Sequence, residues 1–346
     1  MKKIFNNYFF NILLIISIGC IVIYFSVNAY DIELLDLLQT VDIRYLFIVI
    51  AIVLGYQSIT GIVLTVLTRF THPDYKISSG IINSLVASLF HGITPSSTGG
   101  QIAQFYVYRK QGVGSGDAGS ILWMEFIIYQ SCLTLVSLLF IILKFPYFYS
   151  QFSNLFVFVI LGFIINTSII FILYGLAKFK SLHDWIADKG IDIAYKFHLV
   201  KDKEATLNNV EMQLSRFRLE VENLKLHKKT IILCAFLCVL RLLMYYSVPY
   251  FVFLALGGKL DIVLLINAIA MGSFVAIASG MIPIPGASGG TEVIFIMMFS
   301  NLFGKTLSAS SMILWRFATF YFVLMLGTIA FGYIKFKRWL DAYRII

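Results

Sequence analysis

Four ionisable side chains, Glu125, Arg241, Glu292 and Arg316, fall within long apolar stretches of this 346-residue chain. A charge at membrane depth is costly unless it meets a counter-charge or lines a water-filled cavity. Two readings follow. The four residues form structural salt bridges, or Arg241 and Arg316 face an internal, partly hydrated cavity and neutralise a phosphate. In the second reading Glu125 and Glu292 compete for the same arginines when the site is empty. Arginine suits that task because its planar fork binds phosphate bidentately and stays charged.

A second cluster lies in Pro283-Ile-Pro-Gly-Ala-Ser-Gly-Gly-Thr-Glu292, which contains the G-x-S-x-G frame of a serine hydrolase at 286–290. A nucleophilic Ser288 needs a base within hydrogen-bond reach. None of the five His residues follows it, and His91 approaches only if distant segments meet. The run also has a twin. "PSSTGGQIAQF" at 95–105 aligns without a gap with "PGASGGTEVIF" at 285–295, pairing Pro95 with Pro285, Thr98 with Ser288, and Gly99-Gly100 with Gly289-Gly290. Ile-Leu-Trp follows each copy, at 121–123 and 313–315. Small residues can simply let helices pack closely. Alternatively, each Gly-Gly turn, with at least one glycine at positive φ, ends one half-helix and exposes the amides of the next. Thr98 or Ser288 then adds a hydroxyl, and such a helix start attracts phosphate.

The elements that must position these residues follow from composition. The chain is 59% apolar and 13% charged, with a mean hydropathy of +0.87, which excludes a soluble fold. Apolar windows of spanning length occur near 8–28, 43–67, 118–143, 153–177, 230–256 and 310–333. Two more apolar stretches, 78–108 and 262–304, are interrupted by Gly, Pro, Ser and Thr, and each has one arm too short to cross alone. They read as re-entrant hairpins. The expected fold is all-α integral membrane, with six full spans and two re-entrant helical hairpins. Residues 1–150 form one repeat and 151–346 the second, each ordered span, span, hairpin, span. Three full spans per copy force the second to enter the membrane inverted, a recurrent transporter plan.

Charge placement agrees with both termini in the cytoplasm, since that arrangement puts 21 of 27 basic residues on the inner side. The net charge of +9 therefore faces anionic lipid and gives little support for nucleic-acid binding. The apolar start is kept as a span, because removing it as a signal peptide would break the repeat. Cys20, Cys132, Cys234 and Cys238 suggest neither disulfides nor a metal site. The insert 178–229, with 11 basic and eight acidic residues, reads as amphipathic helices at the cytoplasmic interface. The sequence has no P-loop motif, so no nucleotide or other cofactor is expected, and energy must come from a gradient.

The second-half pattern Pro283-x-Pro285-Gly286-x-x-Gly289-x-x-Glu292 resembles the signature of the lysylphosphatidylglycerol synthase transmembrane family, the flippase-like region of the bacterial multiple peptide resistance factor. Thr94-Pro95-Ser96-Ser97-Thr98-Gly99-Gly100-Gln101 is similar to its first-half motif, and Arg241 followed by Tyr245-Tyr246 also fits. The resemblance implies a lipid-flipping protein of the bacterial inner membrane, connected with antimicrobial peptide resistance and not itself an enzyme. Its substrate would be an anionic or aminoacylated phospholipid or a polyprenyl phosphate. Without an aminoacyl-transfer domain after the last span, lipid synthesis is not expected. The substrate-contacting residues would be Thr94, Pro95, Thr98, Gly99, Gly100, Gln101, Glu125, Arg241, Pro285, Gly286, Ser288, Gly289, Gly290, Glu292 and Arg316. The competing expectation is an accessory protein that scaffolds a lipid- or glycolipid-modifying enzyme, or assembles with itself, without transporting.

Overall fold

The computed structural model describes residues 41–178 and 228–343, with isolated positions elsewhere. The expected span 8–28 and nearly all of the insert 178–229 lie outside the described residues. Every described element is helical: α1 (Ile43–Thr68), α2 (Ile77–Ile93), α3 (Gly99–Lys110), α4 (Ser115–Lys178), α5 (Lys228–Ala255), α6 (Ile262–Ser279), α7 (Gly290–Phe303), α8 (Lys305–Arg316) and α9 (Phe322–Tyr343). Tight turns at Pro95–Ser97 and Pro285–Ala287 separate α2 from α3 and α6 from α7. A wide π turn, Phe317–Tyr321, joins α8 to α9.

Local chemistry sets the starts of two helices. Asp42 caps α1 by accepting from the Arg44 amide, and Asp261 caps α6 by accepting from the amides of Val263 and Leu264. Five stretches are long and apolar enough to cross a membrane: Ile43–Thr68, Ser115–Pro146, Lys228–Ala255, Ile262–Ser279 and Lys305–Phe336. Four of them contain or nearly match the expected spans 43–67, 118–143, 230–256 and 310–333. The fifth, Ile262–Ser279, is the longer arm of the expected hairpin 262–304, whose short arm is expected at Val293–Phe303. Its Gly272 and Ser273 are small enough to stay helical in an apolar run, so no break comes before Gly280. The corresponding arm, Ile77–Ile93, is shorter and carries Asn83, four serines and His91.

The expected span 153–177 is the far part of α4, with a shorter apolar core at Val159–Ile172. Gln130 Nε2 donates to Asn166 Oδ1 at 2.7 Å, whereas a straight helix would separate the two residues by about 54 Å. The segment therefore doubles back between them. Pro146 lies in that interval and removes one backbone donor.

α1 and α5 run antiparallel. The Asp42 amide donates to the Ala255 carbonyl at 2.8 Å, and farther along Arg241 reaches Thr60. α1 and α2 approach backbone to backbone: a Cβ on Gly61 would lie 2.5 Å from Ile81 Cα, and one on Gly80 would lie 2.3 Å from the Gly61 carbonyl oxygen. Ser84 and Ser88 donate to Gln57 across the same seam. Small residues and interhelical hydroxyls are the usual adhesive where lipid offers no hydrophobic contrast. This packing brings the turn Pro95–Ser97 against the turn Pro285–Ala287.

Candidate functional site

The two turns share one backbone. Ser96 and Ser97 have φ of 50° and 55°, and their alignment partners Gly286 and Ala287 have 62° and 48°. Three of these four residues bear a Cβ in the left-handed region, at a cost of about 1–2 kcal/mol each. Such strain persists only where surrounding structure imposes it.

The glycine pairs do not behave as expected in both copies. Gly289 has a positive φ of 88°, but Gly99 and Gly100 are ordinary residues of α3. Ser96 and Ser97 already make the left-handed turn there. Gly100 is small for another reason, since a Cβ on it would lie 2.2 Å from the His91 ring. His91 Nδ1 contacts the Ser97 carbonyl, so the ring braces the turn from behind.

The expected hydroxyl roles also change. Thr98 Oγ1 donates back to the Pro95 carbonyl at 3.0 Å, and Thr94 Oγ1 instead accepts from the Gly99 amide at 2.8 Å. Ser288 Oγ lies 3.4 Å from Arg316 Nη2, a long contact with a group that donates and cannot take its proton. Pro95, Thr98 and Gln101 are exposed, whereas Pro285 and Ser288 are buried and Gly286, Gly289 and Gly290 are partly buried.

All four ionisable residues are paired. Arg316 Nε lies 2.8 Å from Glu292 Oε1, with the N–H turned off the line to the oxygen, so the contact is an ion pair and not a linear hydrogen bond. Arg316 Nη2 donates to the Gly286 carbonyl, and its guanidinium stacks 4.1 Å from the Phe320 ring centre. Glu292 Oε2 accepts from the Gly289 amide at 2.7 Å. The start of α7 thus already holds an anion, its own glutamate. The π turn after Arg316 carries Phe320, whose ring also abuts Gly286.

The other pair is looser. Arg241 Nη2 lies 3.1 Å from Glu125 Oε1, while Nη1 donates to Thr60 Oγ1 at 3.1 Å and Tyr129 lies beneath the guanidinium at 4.3 Å. The side chain of Glu125 is 12% exposed, against 3% for Glu292. Tyr56 and Tyr245 meet edge to face at 5.4 Å, and Tyr245 is within electrostatic reach of Arg316 and Tyr129.

Both arginines are 7% exposed, so in this state they are buried. A cavity of about 410 Å³ lies elsewhere, lined by Thr71–Lys76, Gln111 and Val113 where the α1–α2 and α3–α4 connections meet. Thr60, Tyr129 and Phe320 are site residues that sequence reasoning missed. Thr60 carried a weak signal, as a hydroxyl in an apolar helix.

Stacked apolar helices, paired turns and buried guanidinium–carboxylate contacts define a helical multi-pass membrane protein. The chain matches the lysylphosphatidylglycerol synthase TM region over residues 12–327 and belongs to that family. No curated protein and no solved structure matches it.

Proposed function

We propose that the chain is a lipid flippase of the bacterial cytoplasmic membrane, moving a phospholipid or lipid-linked phosphate. Aminoacylated phosphatidylglycerol is one candidate. The family supports a lipid-related membrane role. The architecture proposed is an inverted repeat with six full spans, both termini cytoplasmic, and residues 1–150 and 151–346 as the two halves. The shared φ pattern of the turns and the antiparallel pairing of α1 with α5 support it.

One observation carries the transport reading: the Glu125–Arg241 pair joins one half to the other, while Glu292–Arg316 lies within the second half. Motion of the halves past each other must break the first pair and can leave the second intact. A lipid phosphate that replaces Glu125 on Arg241 supplies the bidentate partner lost in that motion. The first turn of α3 beyond Gly99, whose own amide donates to Thr94 Oγ1, then offers its amides to the same anion beside the exposed turn Pro95–Thr98. Thr94, Gly99, Gly100 and Gln101 belong to this face. Pro285, Gly286, Ser288, Gly289 and Gly290 form the face that Arg316 holds closed.

The experiment is translocation in liposomes containing purified protein and labelled plain or aminoacylated phosphatidylglycerol. Faster exchange between leaflets than in protein-free vesicles is expected. Unchanged leaflet distribution for both lipids would favour the accessory-protein reading.

A further inference from the structure

Glu125 and Glu292 are both paired to arginine, yet they differ in the oxygen left over. Glu292 uses Oε1 on Arg316 and Oε2 on the Gly289 amide, and it is buried. Glu125 uses Oε1 on Arg241, and among the described residues no donor engages Oε2. That carboxylate is also the more exposed of the two. Protonating Glu292 would cost an amide contact and an ion pair together. Glu125 needs to give up only Arg241, the guanidinium that the arriving phosphate would claim.

The titratable and charged groups within electrostatic reach of Glu125 come from several helices. α5 contributes Arg241, Cys234 and Cys238, α3 contributes Tyr108, α4 itself contributes Tyr129, and α2 contributes His91. α1 contributes the Thr60 hydroxyl through Arg241, and α6, packed on α4, carries no ionisable residue. Of these, His91 is the only side chain whose ordinary pKa lies near neutrality. It is within electrostatic reach of both Glu125 and Arg241, and its ring touches Ser97 in the exposed turn.

We propose that lipid movement through this protein is coupled to a proton, with Glu125 as the carrier and His91 as the group that exchanges protons with the exposed first turn. Phosphate on Arg241 frees Glu125 to take up one proton, and departure of the phosphate expels it as the ion pair closes again. Charge in the occluded site is thereby kept constant, because each anion that enters is matched by one proton on Glu125. The proposal rests on the flippase reading, whose substrate phosphate it requires.

The test uses the full chain in vesicles of phosphatidylethanolamine and phosphatidylglycerol, with a trace of fluorescent phosphatidylglycerol and a pH-sensitive dye inside. One proton per lipid predicts an equilibrium leaflet ratio that shifts about tenfold for each unit of imposed pH gradient. Dye response should accompany lipid movement and be missing from protein-free vesicles. Glu125→Gln should lose the gradient-driven asymmetry and the dye response, and His91→Gln should slow the approach to the same asymmetry as wild type. Wild-type translocation that ignores the gradient overturns the proton coupling while leaving the flippase reading in place. No translocation by wild type overturns both. The wild-type measurement decides the matter even if either variant fails to fold.

Discussion

Around Arg316 every polar neighbour lies in the second half of the chain: Gly286, Ser288 and Glu292 sit on the turn and helix that the guanidinium closes. Around Arg241 the neighbours come from elsewhere, since Thr60, Glu125 and Tyr129 belong to α1 and α4. Under the proposed two-half architecture, chemically similar ion pairs have different mechanical roles. A pair inside one rigid unit stabilises that unit, whereas a pair between two units opposes their separation. The turns follow the same division. Pro95–Thr98 is exposed and contacted by His91, while Pro285–Ser288 is held by Arg316 and by the Phe320 ring stacked on it.

The sharpest way to break the comparison is to ask whether the halves are inverted at all. Single cysteines at the exposed positions Ser115 and Thr306, on a background lacking Cys20, Cys132, Cys234 and Cys238, should react with an impermeant reagent from opposite sides of the membrane. Reaction of both from one side removes the inverted repeat and with it the argument from relative motion.

Stability comes next. Glu292→Ala strands the Arg316 guanidinium in a buried site and should cost about 3–5 kcal/mol, seen as a lower thermal midpoint in detergent. Glu125→Ala should cost less, because Arg241 keeps Thr60 and Tyr129 and lies beside a partly exposed neighbour. Equal losses would mean that both pairs are structural in the same way.

A smaller effect separates the turns. Gly286→Ser places a Cβ at a φ of 62° and within 2.4 Å of the Phe320 ring, so it should destabilise by more than the 1–2 kcal/mol of a left-handed residue alone. Ser96→Gly removes the same backbone cost at an exposed position and should stabilise by about 1 kcal/mol. Opposite signs at aligned positions are the expected outcome in a thermal melt. The smallest effect belongs to Ser288→Ala, which gives up only the 3.4 Å contact to Arg316 and should change stability by about 0.5 kcal/mol or less.

Much of this was legible in the sequence because proline and glycine punctuate an apolar chain so clearly. The gapless alignment of 95–105 with 285–295 located both turns. Pairing was not legible. Glu125 and Arg316 follow the two Ile-Leu-Trp runs almost in register, yet they belong to different ion pairs, because partner choice depends on helix rotation and depth. The backbone of the turns was partly hidden too. Gly286 and Gly289 advertise positive φ, but nothing about Ser96, Ser97 or Ala287 does. The unequal arms of 262–304 were legible, since Ile262–Ser279 is apolar throughout and the helix ending at Phe303 is only 14 residues long.

The central claim, that Arg241 works on the lipid and Arg316 on the fold, is tested most directly by conservative substitution. Arg241→Lys and Arg316→Lys both keep the charge and lose the planar fork. At matched amounts of folded protein, Arg241→Lys should reduce phosphatidylglycerol translocation by about tenfold, equivalent to about 1.4 kcal/mol of barrier, with little change in thermal midpoint. Arg316→Lys should lower the midpoint and leave translocation per folded molecule close to wild type. Full translocation by Arg241→Lys would contradict the claim.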